Sequence, residues 1–176
     1  VLSEHRDTLE AYAAQDTPEG REAVVKLIET AICAACASVF KLAQENSSRR
    51  GMGTTLSLLA LIGHRGFIGH VGDSRIYLVR SGRVHQLTED HSLVNELIKR
   101  GRMKPGEAFD SPYKNAVTRA VGVYETVEVD AFDIDVLPDD RFLLCSDGLS
   151  CYLDDETTIN LFGEVPVKDS PARLID

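Results

Sequence analysis

The apolar residues of this chain change period once, abruptly, near residue 50. Before that point Ala23, Val24, Leu27, Ile28, Ala31, Ile32, Ala35, Val39, Leu42 and Ala43 recur at steps of three and four, which is one face of a long amphipathic helix. After it come short apolar or β-branched runs at Thr54–Ile62, Phe67–Val71, Ile76–Val79 and Val84–Leu87. Glycine-containing turns at Gly63–Gly66, Gly72–Ser74 and Ser81-Gly82 separate them. That spacing predicts consecutive antiparallel strands joined by tight hairpins. With the helices segregated from the strands, the expected class is α+β, in a single domain covering residues 1–176.

The remaining elements follow from local signals. Val1–Ala14 reads as a helix with no N-cap before it, and Asp16-Thr17-Pro18-Glu19 as the start of the long one, since Asp or Thr can cap and Pro is tolerated in the first turn. Further strands are expected at Val127–Val136 and Arg141–Cys145. In the first of these the apolar phase slips, and a bulge near Ala131 would account for it. Leu93, Val94, Leu97 and Ile98 predict a short helix stopped by Lys99-Arg100-Gly101. Met103–Lys114, carrying Pro105, Gly106 and Pro112, reads as an irregular excursion, and insertions of that length between strands are often functional. Helical patches are expected at Asp155–Phe162 and Pro171–Ile175.

Composition bounds the chemistry. A net charge of −9 over 176 residues argues against a nucleic-acid binder that works by neutralising phosphates. An acidic chain can still handle phosphate through cations held by its carboxylates. Of the four cysteines, Cys33 and Cys36 are spaced i,i+3 within the helical pattern and read as small buried residues rather than as half of a zinc or redox site. The apolar runs look too short to span a membrane and the N-terminus is not signal-like. The expectation is a cytoplasmic segment without membrane insertion.

Two corners carry acids. Val71-Gly72-Asp73-Ser74-Arg75 and Leu144-Cys145-Ser146-Asp147-Gly148 each place a carboxylate at the end of an expected strand, beside a glycine. A carboxylate on a rigid strand end suits a hard divalent cation; taken singly, each is also an ordinary Asp-Gly turn. His5, His64, His70, His85 and His91 lack metal-ligand spacing and read as surface or strand residues. Ser74 and Ser146 have no base paired with them in the pattern. Arg75 either orients Asp73 or plays a structural part, the latter being favoured.

Taken in order, the segments Gly51-Met52-Gly53-Thr54-Thr55-Leu56, Val71–Arg75, Tyr77–Gly82, Leu87-Thr88-Glu89-Asp90-His91-Ser92, Thr118–Gly122 and Asp140–Leu149 closely resemble the metal-dependent protein serine/threonine phosphatases of the PP2C (PPM) type, the bacterial branch above all. The resemblance runs from about Arg50 to Thr158. It implies an α-β-β-α sandwich of two antiparallel sheets flanked by helices, and hydrolysis of phosphoserine and phosphothreonine on proteins by a metal-bridging water. The cofactors implied are Mn²⁺ or Mg²⁺, two core ions with a third in bacterial members. Carried over by motif, Asp147 would ligate the core pair and Asp73 the third ion, with no side chain acting as nucleophile. Residues 91–115 correspond to the family's flap. Partners would be phosphorylated Ser/Thr proteins, substrates of Ser/Thr kinases.

The family's Asn-Glu-Asp, Asp-Gly-x-Gly-Gly-His and terminal Asp-Asn motifs are not found here. The chain is therefore expected to be an incomplete domain, truncated at both ends and inactive alone, whose full-length parent is the phosphatase. The competing readings are a catalytically inactive PP2C-like scaffold that acts as a binding or regulatory domain, against which the retention of both Asp73 and Asp147 weighs, and a related phosphatase of different specificity.

Overall fold

The computed structural model describes residues 2–108 and 110–153. A 3-10 turn at Leu2–His5 leads into helix α1, Arg6–Ala14, and α2 spans Pro18–Glu45. Thr17 caps α2: its hydroxyl accepts the Gly20 N–H at 3.1 Å, while Pro18 occupies the first turn, where no N–H is required. Six strands follow: β1 Leu56–Ile62, β2 Arg65–Val71, β3 Arg75–Arg80, β4 Arg83–Gln86, β5 Asp130–Asp135 and β6 Arg141–Cys145. Helix α3, Leu93–Lys99, lies between β4 and β5, and the short α4, Asp147–Ser150, follows β6. Helices and antiparallel strands are segregated as the α+β class requires. The two expected helical patches beyond residue 154 lie outside the described residues.

These elements fall into two compact units, one made of the chain up to Gly72 together with His91–Val136, the other of Asp73–Asp90 and the chain from Leu137 onward.

In the first unit the strand order is β1-β2-β5, all antiparallel. Val24, Ile28, Ile32 and Cys36 of α2 are buried together with Phe67 and Val71 of β2, and the Tyr12 ring of α1 meets Phe67 edge-on at 5.1 Å. Close approach fixes one residue choice. A Cβ at Gly69 would lie 2.5 Å from Ile28 Cγ2 and 2.6 Å from Ile32 Cδ1. Contrary to the expectation that every apolar run falls short of a membrane span, α2 is long and apolar enough to cross one. One stripe of α2 is buried against the sheet, as in a helix that covers a core.

The expected bulge at Ala131 is absent. β5 pairs with β2 residue by residue from Asp130 to Asp135, and the phase slip arises because residues 127–129 lie outside the ladder. Val127 and Val129 still pack on the helical core, held by the Cys33 and Cys36 thiols, which donate to the Val127 and Tyr124 carbonyls. All four cysteines are free. Asp133, facing the same side of the sheet as Phe67, is neutralised by Arg65 at 3.0 Å.

The second unit contains the sheet β4-β3-β6. The β3–β4 hairpin turns on Ser81 and Gly82, with φ of 51° and 71°, the left-handed pair that a two-residue hairpin needs to match strand twist. Arg80 grips Asp140 through two hydrogen bonds of 2.8 and 2.6 Å. The Asp140 side chain is 2% exposed and also accepts the Leu137 N–H at 2.8 Å, closing the turn before β6.

Candidate functional site

Strand pairing brings the two nominated acids together. β3 and β6 run antiparallel with Arg75 opposite Cys145. Asp73 lies just before β3 and Asp147 just after β6, so both lie at the same end of this sheet, near enough for the Asp147 charge to act on Asp73. Asp73 is half-buried and Asp147 exposed. Burial pushes the Asp73 carboxyl above the ordinary carboxylate range; the neighbouring Asp147 charge pushes it further, and Asp90 adds to this. Asp147 opens α4, and its Oδ1 accepts the Gly148 N–H at 2.8 Å.

A divalent cation beside Asp73 and Asp147 would relieve the repulsion that raises the Asp73 carboxyl, and oxygen donors match Mg²⁺ or Mn²⁺ rather than a softer ion. The residues therefore fit such a metal in kind. In number they fall short: among the described residues no group of three or more His, Cys, Asp or Glu is arranged to hold one, and each hard cation takes six or more oxygens.

Asp73 follows a tightly held glycine. Gly72 has φ +115°, and a Cβ there would lie 2.4 Å from Thr55 Cγ2, so both its conformation and its packing demand glycine. Its carbonyl accepts the His91 N–H at 2.8 Å, and its own N–H donates to His91 Nδ1 at 3.1 Å. Because Nδ1 accepts, the ring proton of neutral His91 resides on Nε2, which faces Asp130 Oδ2 at 3.0 Å. Arg119 Nη1 holds the other Asp130 oxygen at 3.0 Å, and Nη2 lies 3.1 Å from Glu128. With the Nε2 proton committed to Asp130, the 3.2 Å approach of Arg119 to Nε2 is a packing contact, not a hydrogen bond. The His70 ring lies against His91 with centroids 4.9 Å apart, and its Nδ1 is 2.9 Å from Ser57 Oγ. Ser57, His70 and Asp130 stand directly opposite one another across β1, β2 and β5.

The sequence reading of the histidines needs correction here. His70 is on a strand, but its side chain is fully buried; His91 is neither on the surface nor in a strand, being 5% exposed. Positions 70, 91, 119 and 130 have no common spacing, so only folding assembles them. The signal that could have marked His91 was its place in the Leu87–Ser92 segment. Arg75 turns out to serve the fold: it clamps Asp90 with bonds of 2.8 and 2.7 Å and reaches the Tyr77 hydroxyl at 2.9 Å, and these contacts hold its guanidinium firmly charged.

The excursion expected at residues 91–115 closes on itself, Leu93 N–H bonding to the Ala116 carbonyl and Thr118 N–H to that of His91, each at 2.8 Å. It contributes to a pocket of about 350 Å³ that includes Leu97, Arg100, Arg102 and Arg119. Arg100 is paired with Glu96 and Arg119 with Glu128 and Asp130, so most of its positive charge is already neutralised.

Comparison with known proteins agrees with this architecture. The family model described as Protein phosphatase 2C matches residues 3–173. The protein phosphatase PhpP of Streptococcus pneumoniae is 39% identical over 132 residues, 74% of this chain and 54% of its own length; the chain thus spans about half of that curated relative. Among solved structures, the serine/threonine phosphatase of S. agalactiae superposes with a TM-score of 0.82 at 34% identity, over 88% of this chain and 64% of that one. The catalytic domain of the serine/threonine protein phosphatase PstP, in complex with two manganese ions, gives a TM-score of 0.76 at 32% identity, over 95% and 69%.

Proposed function

The chain belongs to the protein phosphatase 2C family, and on that footing we propose that the full-length protein hydrolyses phosphoserine and phosphothreonine on proteins with Mn²⁺ or Mg²⁺ as cofactor. The observation that carries this reading is the convergence of Asp73 and Asp147 at one sheet end, where burial and mutual repulsion make Asp73 costly to ionise. Acids clustered in this way have no structural purpose that a neutral pair would not serve better.

In this proposal Asp147 is a ligand of the core metal pair and Asp73 of a further, outer ion. Divalent ions bound there would lower the pKa of an attacking water and neutralise charge on the phosphoryl oxygens. The chain's own residues supply oxygen donors beside the ends of β3 and β6, with the Arg75 guanidinium clamped on Asp90. Residues 91–115 are the flap, and the two units together make one phosphatase domain, supported by a family match that runs through both. Substrates are the products of Ser/Thr kinases. We propose the cytoplasm as the compartment, a reading that four unbridged cysteines support.

The test is hydrolysis of a phosphothreonine peptide by the full-length protein, with and without Mn²⁺ after chelation. Metal-dependent release of phosphate, abolished in Asp147→Asn, is expected. A full-length protein that binds Mn²⁺ but leaves the peptide untouched would overturn this reading in favour of a phosphatase of different specificity, and one that binds no Mn²⁺ would favour the scaffold.

A further inference from the structure

We propose that His91 is the positioning residue for the Asp73 corner, acting through the imidazole Nδ1 that accepts the Gly72 N–H. The inference rests on the reading of Asp73 as a metal ligand. Both peptide planes that flank Gly72 are gripped by this one residue: the plane before it through Nδ1, the plane joining it to Asp73 through the His91 N–H. Glycine loses more backbone freedom on ordering than any other residue. A carboxylate attached directly after a glycine is therefore only as well placed as whatever holds that glycine.

The grip is itself held. Asp130 receives the Nε2 proton, and Arg119 and its partner Glu128 fix Asp130, so the ring can neither flip nor change tautomer without breaking a buried bond. The His70 ring closes one face of it. Such an arrangement, a histidine oriented by a carboxylate that orients a ligand in turn, is how outer-shell groups set metal affinity, typically by about 10–100-fold. Here the histidine is not the ligand. It fixes the backbone from which the ligand hangs.

Two substitutions separate this role from simple packing, because each retains one end of the ring. In His91→Asn the Oδ1 atom falls where Nδ1 was and still accepts the Gly72 N–H. In His91→Gln the amide nitrogen falls where Nε2 was and still donates to Asp130, but Gly72 loses its acceptor. The experiment is Mn²⁺ titration of the full-length protein, followed by electron paramagnetic resonance without substrate, on wild type, both variants and Asp73→Asn.

Expected are a loss of roughly tenfold or more in affinity for the weakest-bound ion in His91→Gln, and little loss in His91→Asn. The imidazole ¹⁵N spectrum of the wild type should show the Nε2–H tautomer. Thermal stability should fall in both variants, so a purely structural role would weaken Mn²⁺ binding equally in the two, or in neither; either result overturns the proposal. If Asp73→Asn weakens binding while His91→Gln does not, only the positioning role fails. If Asp73→Asn leaves Mn²⁺ binding unchanged, the metal reading of Asp73 fails as well.

Discussion

Gly72 and His91 exchange a pair of hydrogen bonds, one from the His91 N–H to the Gly72 carbonyl at 2.8 Å and one from the Gly72 N–H to the His91 ring at 3.1 Å. The eighteen residues between them form the β3–β4 hairpin and return to the point of departure. Gly72 cannot be exchanged for a residue with a side chain. Gly72→Ala combines a strained φ with a Cβ 2.4 Å from Thr55 Cγ2 and should destabilise by about 2–4 kcal/mol in denaturant titration. The double variant Gly72→Ala/Thr55→Ser removes the methyl clash but leaves the strained φ and the 2.6 Å approach to the residue-55 Cβ, so it should recover only part of the loss.

Gly69 sets how closely α2 approaches the sheet. Gly69→Ala should cost about 1–3 kcal/mol, since its Cβ meets Ile28 and Ile32 at 2.5 and 2.6 Å. Ile32→Val in the same chain frees the Cδ1 position and should restore part of that loss, giving a negative coupling energy in a double-mutant cycle. Additive losses would mean that the sheet, not the helix, gives way.

Asp73 is costly to the metal-free fold. Its carboxyl is pushed up by burial and by Asp147, so in metal-free protein its charge opposes folding. The sign is that of a raised acid: its contribution is most favourable below the ordinary value of 3.8 and is lost as pH rises through the raised folded value. At neutral pH with chelator present, Asp73→Asn should therefore raise the midpoint of thermal unfolding by roughly 2–4 °C. Adding Mn²⁺ should reverse the ranking, because only the wild type gains from the ion.

Asp140 titrates the other way. Arg80 holds its carboxyl below the ordinary value of 3.8; the stabilisation is complete above that value and is lost as pH falls through the depressed one. Asp140→Asn should cost about 1–3 kcal/mol at neutral pH, and the gap from wild type should close as the pH is lowered below 3.8. A gap that persists at low pH would assign the stabilisation to packing of the turn rather than to the ion pair.

The elements that could be read from the sequence are those whose causes are local. Thr17 before Pro18 marks the start of α2, and Ser81-Gly82 marks a two-residue hairpin, because cap and turn chemistry act within four residues. Asp73 and Asp147 could be nominated from their strand-end corners, and β3–β6 pairing then brings them to the same end of the sheet. The hidden parts have distant causes. Val127 and Val129 look like strand, yet thiols about ninety residues away hold that segment beside the helix. His91 looks like one scattered histidine until Gly72, Arg119 and Asp130 close around it. The contacts of α2 are likewise non-local: its buried stripe packs on a sheet whose strands come later in the chain.

The polar row across β1, β2 and β5 carries information that apolar alternation cannot. Alternation repeats every two residues, so it rejects a slip of one and is blind to a slip of two. Displacing β1 by two residues would leave every apolar side chain on its proper face. It would also set His70 against Leu59 or Thr55 in place of Ser57, and separating a fully buried imidazole from its partner costs about 1–3 kcal/mol. A few polar atoms thus choose among alignments that hydrophobicity ranks as equal. They count the strand; the apolar residues only orient it.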